Sequence, residues 1–130
     1  MIRHLIDLWI LREEGNVIFS KSDPLDPDNK LLGRLISALY NFTQNRFSDK
    51  LIRFTTNKHQ YYIIEQQGIL FAGIFPRNKT IKEKYILKEL GNIEKKFFER
   101  FTKTEVDNWD HDVLGEFIDS LWGRDVEREN

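Results

Sequence analysis

The chain has no cysteine and only three histidines, three prolines and one methionine among its 130 residues. Without cysteine there is no disulfide and no thiolate metal site, which fits a reducing interior, so a cytoplasmic location is expected. His4, His59 and His111 have no neighbours at the spacing of a metal site or a catalytic triad. No glycine-rich phosphate loop and no nucleophile elbow occurs. An excess of one charge is missing too. Twenty Lys and Arg face 21 Asp and Glu for a net charge of −1, which leaves no electrostatic footprint for nucleic acid or an anionic membrane. No apolar run approaches the length of a membrane span. The opening MIRHLIDLWILREEG is interrupted by Asp7, lacks a small-residue cleavage site and reads as a strand, not as a signal peptide. The final Glu-Arg-Glu-Asn offers no prenylation motif.

What is present is an ordinary globular composition, 40% hydrophobic and 32% charged, with ten Phe, four Tyr and three Trp. That supports a single domain able to bury roughly two-thirds of the surface exposed by its unfolded chain. The domain is expected over residues 1–122, with a polar tail over 123–130.

Leu5 to Leu11 is nearly continuously apolar, as in a strand covered on both faces. Glu13-Glu14-Gly15-Asn16 turns the chain into a second strand at Val17-Ile18-Phe19. Ser20 to Asn29 is loop-like and ends in Asp26-Pro27-Asp28, a capping carboxylate before proline. A helix is predicted from about Pro27 to Arg46. Its core face is read as Leu32, Leu35, Ile36, Leu39, Phe42 and Thr43, widened by Leu31 and Tyr40. Gly33, Arg34, Ser37, Asn41, Gln44 and Asn45 are placed outward. Three strands follow at Leu51–Phe54, Gln60–Glu65 and Ile69–Phe75, with turns so short that they form an antiparallel meander. Thr80 and Glu83 form a capping-box pattern before a helix reaching about Phe101, whose stripe is Tyr85, Ile86, Leu90, Ile93, Phe97 and Phe101. Asp110 or Asp112 caps a last helix to about Trp122, with Val113, Leu114, Phe117, Ile118 and Leu121 on its apolar face. The fold class is therefore α+β: a five-stranded antiparallel sheet in the order β-β-α-β-β-β-α-α, one helix on one face and two on the other.

The order and its details resemble the longin domain over about residues 4–122. The segments carrying the resemblance are Leu8-Trp9-Ile10, Glu14-Gly15, Val17-Ile18-Phe19-Ser20, the helix Gly33-Arg34-Leu35-Ile36-Ser37-Ala38-Leu39, and Gly68-Ile69-Leu70-Phe71-Ala72-Gly73. The chain looks most like the small stand-alone longin-like proteins of archaea that also encode Ras-like GTPases. The resemblance implies a longin-like α-β-α sandwich and a non-enzymatic interaction module without a cofactor. Its implied partners are a small Ras-like GTPase, another longin or roadblock subunit, or a second copy in a dimer, in a vesicle-trafficking-like system without direct membrane insertion. The chain departs from the SNARE type, since nothing after Trp122 reads as a coiled coil. It departs from the roadblock type in opening on a strand where that fold opens on a helix.

Candidate chemistry is sparse. Asp23, Asp26, Asp28 and Asn29 offer oxygens for a hard cation but lack EF-hand spacing, and capping explains them more simply. Trp109-Asp110-His111-Asp112 reads as a helix start. Asp7, in an apolar strand, needs a partner if buried, and a place near the strand end with partial solvent access is the simple reading. The mixed Lys and Glu of the second helix make a solvated face, and the two glycosylation sequons are coincidental without a secretory signal. Gly33 and Ser37, small residues four apart, leave a strip where another backbone can approach, and Leu31 and Tyr40 would edge such a docking surface. The rival to an interaction module is a small-molecule sensor or unrecognised enzyme with a pocket lined by Tyr61, Tyr62, Phe71, Phe75 and Trp109.

Overall fold

Period-2 alternation explains how such apolar strands are accommodated. In the computed structural model, which describes residues 5–14, 16–20, 27–77, 80–101 and 116–117, the long apolar runs are split between two cores. The elements are β1 (Asp7–Arg12), β2 (Val17–Ser20), α1 (Pro27–Phe47), β3 (Arg53–Thr55), β4 (His59–Gln66), β5 (Ile69–Pro76) and α2 (Glu83–Arg100). They form one five-stranded sheet in the order β2-β1-β5-β4-β3, with every neighbouring pair antiparallel. This is the expected α+β sheet.

On one side, Leu8 and Ile10 of β1, Phe71 and Phe75 of β5 and Tyr62 of β4 pack against Ile86, Leu90, Ile93 and Phe97 of α2. On the other, Trp9, Leu11, Ile63, Leu70, Ala72 and Ile74 pack with Ile36 and Tyr40 of α1. β5 is central, β1 and β4 flank it, and burial on both faces is why their sequences read as near-continuous hydrophobic runs. β1 is pinned to β2 by the Trp9 indole, whose Nε1–H donates to Ser20 Oγ at 2.6 Å in a buried bond. Asp7 lies at the strand end as expected but is buried, not partly solvated, and its Oδ1 accepts the Leu8 N–H at 2.8 Å.

A glutamine and a glycine make the tightest turn. Gln67 (φ 54) and Gly68 (φ 78) are both left-handed, the conformation that matches the twist of a two-residue hairpin between β4 and β5. α2 starts at Glu83 with Lys82 as its cap residue and no side-chain capping bond, so the capping box expected at Thr80 is not the helix start. The third helix expected to reach about Trp122 lies outside the described residues except for Glu116 and Phe117. These two are helical, and the Phe117 ring meets Phe97 at 6.4 Å and Phe101 at 5.6 Å. Trp109, the tail over 123–130 and the loop over 21–26 also lie outside them.

Gly73 sets how closely α2 approaches the sheet. A Cβ there would stand 3.1 Å from Leu90 Cδ2, 3.1 Å from Phe75 Cε1 and 3.2 Å from Leu5 Cδ1. We therefore expect Gly73→Val to overpack this junction and destabilise the protein by about 1–3 kcal/mol in urea unfolding. An unchanged midpoint would show that α2 is not seated so tightly.

Candidate interaction surface

α1 is apolar around most of its circumference, so its sequence alone offers two candidate inner faces. The structure uses the one with small residues. Gly33, Ile36, Ser37 and Tyr40 are buried, and α1 lies over β1 and β2. The close approach is fixed by two side chains reaching the end of β1. The Ser37 hydroxyl donates to the Arg12 carbonyl at 3.1 Å, and the Asn41 amide donates to the Glu13 carbonyl at 2.8 Å. Both bonds tie the helix to the end of β1 and the turn after it.

Ile36, Tyr40 and the partly buried Leu32 point to the core as expected, but the other side of the expected face is corrected. Leu35, Leu39 and Phe42, read from sequence as core, face solvent, and Gly33 and Ser37, read as outward, face the sheet. The contrast is sharp at adjacent positions: Leu35 is 53% exposed and Ile36 0%. The physical reason is steric. A face carrying glycine and serine lets the helix axis come closer to the sheet than a face of leucines would, and two hydrogen bonds reward that distance. Of the four residues expected to edge a docking surface, Leu31 is outside at 62% exposure, whereas Gly33, Ser37 and Tyr40 are inside.

The leucines left outside form the most unusual surface on the molecule. Seven large hydrophobic side chains are exposed among the described residues, and six of them, Leu31, Leu35, Leu39, Phe42, Phe47 and Ile52, fall between α1 and the start of β3. Their concentration in one segment sets them apart from scattered single hydrophobics, which need no explanation. Phe42 and Phe47 meet edge-on with ring centroids 6.0 Å apart. On the same side of the sheet as α1, Phe54 stacks on Tyr61 at 4.5 Å and 7°. β3 is an end strand of the sheet and, among the described residues, pairs as a strand only with β4.

Tyr40 carries the one buried side-chain polar atom among the described residues that makes no hydrogen bond. Its hydroxyl lies near Glu65. Burial, then the charges of Glu65 and Glu13, raise its pKa above the usual 10.0. Tyr61 is raised by burial alone, and Glu94 on α2 is raised by burial and then by Glu65.

The rival pocket does not form from the residues proposed for it. Tyr62, Phe71 and Phe75 are packed into the core under α2, Tyr61 sits across the sheet on the α1 side, and Trp109 is outside the described residues. Among the described residues, no group of three or more His, Cys, Asp or Glu is placed to hold a metal ion. Asp23, Asp26, His4 and His111 lie outside them, and His59 opens β4 opposite Pro76. No described helix is long and apolar enough to cross a membrane.

Sheet order, helix placement and this surface define a longin-like α+β fold. No protein-family model matches the sequence, and no curated protein matches it. Solved structures do. A Roadblock/LC7 domain from Streptomyces avermitilis superposes with a TM-score of 0.56 at 18% identity, covering 75% of this chain and 84% of that one. Myxococcus xanthus MglB gives 0.55 at 15%, covering 75% and 85%, and the gliding protein MglB from Thermus thermophilus gives 0.52 at 16%, covering 66% and 72%. At these identities the likeness is one of fold. One of these neighbours is a Roadblock/LC7 domain, the type that the strand-first order had set apart, and the described part of this chain still opens on β1.

The two faces of α1 separate in stability measurements. We expect Ile36→Ala to cost about 2–4 kcal/mol and Leu35→Ala to stay within about 0.5 kcal/mol in dilute solution. The reverse order would put the leucines in the core. Tyr40→Phe should be neutral or slightly stabilising below pH 10, because it deletes an unsatisfied buried hydroxyl. Since the folded-state pKa is raised, the unfolded chain ionises first. Ionisation of Tyr40 therefore leaves stability unchanged below pH 10 and lowers it as pH climbs toward the folded-state value. The alkaline loss of stability should accordingly be shallower in Tyr40→Phe, which a urea series above pH 9.5 and below pH 12 would measure.

Proposed function

We propose that this chain is a non-enzymatic interaction module of the longin type. Its role is to bind or regulate a small Ras-like GTPase, or to pair with another longin or roadblock subunit, in a trafficking-like system. The observation that carries this reading is the outward apolar face of α1. A helix that keeps three leucines and two phenylalanines in water while burying Gly33 and Ser37 is explained best by a partner. The fold analogy adds the class of partner, and a fold alone does not fix function. Leu31 and the neighbouring Leu35, Leu39 and Phe42 are the contact residues of this proposal. Gly33, Ser37 and Tyr40 act from beneath, by holding the helix at the height that presents those side chains. A GTPase contact reaching its switch regions would read the nucleotide state.

The test is capture from native lysate loaded in parallel with GDP or a non-hydrolysable GTP analogue, using the wild-type chain and Leu35→Glu/Leu39→Glu. A small GTPase retained in one nucleotide state by the wild type and lost from the variant is the expected result. A charge inside such a contact typically costs several kcal/mol, so the loss should be near complete. Equal retention by the variant would remove α1 from the contact.

A further inference from the structure

A net charge of −1 conceals an uneven distribution. From residue 30 to residue 82 the chain holds nine Lys and Arg against two Asp and Glu, and the remainder holds 11 against 19. The fold gathers part of this excess along the outermost strand of the sheet. Lys50 precedes β3, Arg53 opens it and Lys58 lies in the turn after it, all three exposed. Arg77 is set against that turn from the end of β5. Its backbone N–H donates to the Lys58 carbonyl at 2.9 Å and its guanidinium to the Thr56 carbonyl at 3.0 Å. The two acids of the segment are tied to the backbone, Glu65 accepting the Gly68 N–H at 3.2 Å and Asp49 the Lys50 N–H at 2.8 Å. Glu83, which stands near Arg53, is flanked by exposed Lys82 and Lys84.

Beside this row, the connection from α1 to β3 makes a projecting corner. Every residue from Gln44 to Lys50 is exposed, and Phe47 and Ile52 are 65% and 50% exposed among Arg46, Lys50 and Arg53. Bases on an end strand discourage edge pairing, which explains neither the phenylalanine nor the isoleucine. We propose that this corner and the basic row form a peripheral docking surface for an anionic phospholipid bilayer. Phe47 and Ile52 reach the headgroup boundary, and the bases lie over lipid phosphates. A bilayer is the occupant that uses both properties. It buries an aliphatic and an aromatic side chain alike, and its surface potential attracts the bases around them. RNA would neutralise the bases and stack on Phe47 but give Ile52 nothing to bury against. An acidic protein would need a pocket cut to a corner that a fluid surface accommodates without one. Adsorption at this depth needs no membrane-crossing helix, and none occurs among the described residues. Leu35 and Phe47 lie about 18 Å apart along the helix axis, so a chain resting on a vesicle by this corner keeps Leu31 and Leu35 clear for a protein partner.

Cosedimentation of the full chain with phosphatidylcholine vesicles, either neutral or carrying about 30% phosphatidylserine, tests the proposal. The wild type should pellet with the anionic vesicles only, and about 0.5 M salt should release most of it. Lys50→Gln/Arg53→Gln should weaken binding roughly thirtyfold and Phe47→Ser/Ile52→Ser roughly tenfold, with far-UV circular dichroism to establish that each variant is folded. Lys95→Gln/Lys96→Gln, also exposed but on α2, should bind as the wild type does. A second readout does not depend on weakened binding. An environment-sensitive label on Phe47→Cys, in a chain with no other cysteine, should brighten with anionic vesicles, and the same label on Lys95→Cys should not. Failure to bind anionic vesicles at low salt overturns the proposal, as does an equal loss in the α2 variant or an unchanged label at position 47. A short single-stranded RNA bound in place of vesicles, and lost in Lys50→Gln/Arg53→Gln, would overturn it in favour of nucleic acid. Capture of a GTPase by the leucines of α1 stands or falls separately from each of these results.

Discussion

The Ser37 hydroxyl donating to the Arg12 carbonyl, with Asn41 doing the same for Glu13 one turn on, sets how α1 lies on the sheet. Both donors sit on the small-residue side of the helix, and both acceptors are at the end of β1. Reaching them turns the side of the helix that carries the buried Gly33 and Ser37 toward the sheet. Ile36 and Tyr40 are carried into the core by the same rotation, and Leu31, Leu35, Leu39 and Phe42 are carried out of it. The proposed function of the molecule therefore begins as a packing decision: burying the small face leaves the larger apolar face for something else.

The rest of the fold makes that face a rigid one. β1, β5 and β4 are covered on both sides, so the sheet beneath α1 is itself part of two cores. On the far side, α2 is held close by Gly73, and a cluster of phenylalanine rings from Phe71, Phe97, Phe98, Phe101 and Phe117 closes its end. A platform built this way presents α1 without needing to rearrange, as suits a module that recognises a partner by surface shape.

The strands were legible in the sequence because period-2 alternation and short turns leave few alternatives. Leu5 to Leu11 had to be covered twice, and Gln67-Gly68 had to be a hairpin turn. The longin-like order followed from those elements, and similar solved structures share the fold. The orientation of α1 was not legible. Helical periodicity puts Ile36 and Tyr40 in one broad apolar face with Leu35, Leu39 and Phe42, and it does not show that the buried face is centred toward Gly33 and Ser37. What decided the centring is closeness of approach, a property of two elements together that no single-helix pattern contains. The clue was present in a weaker form. Gly33 and Ser37, four apart, do mark a strip for close backbone approach, but the backbone that approaches belongs to β1 of the same chain. Similarly, Tyr61 and Tyr62 look like neighbours lining one pocket until the strand puts them on opposite sides of the sheet.

The absence of native cysteine makes the central claim directly measurable. Leu35→Cys and Ile36→Cys each introduce a single thiol on adjacent residues of α1, and the rate of labelling by an aromatic disulfide reagent in dilute native solution reports which one faces water. The account predicts that the thiol at position 35 reacts at nearly the rate of a free thiol and is protected as partner is added. The thiol at position 36 should react only as fast as the protein opens, orders of magnitude more slowly. Equal rates, or a faster reaction at position 36, would mean that α1 rests on its leucines and that no apolar face awaits a partner.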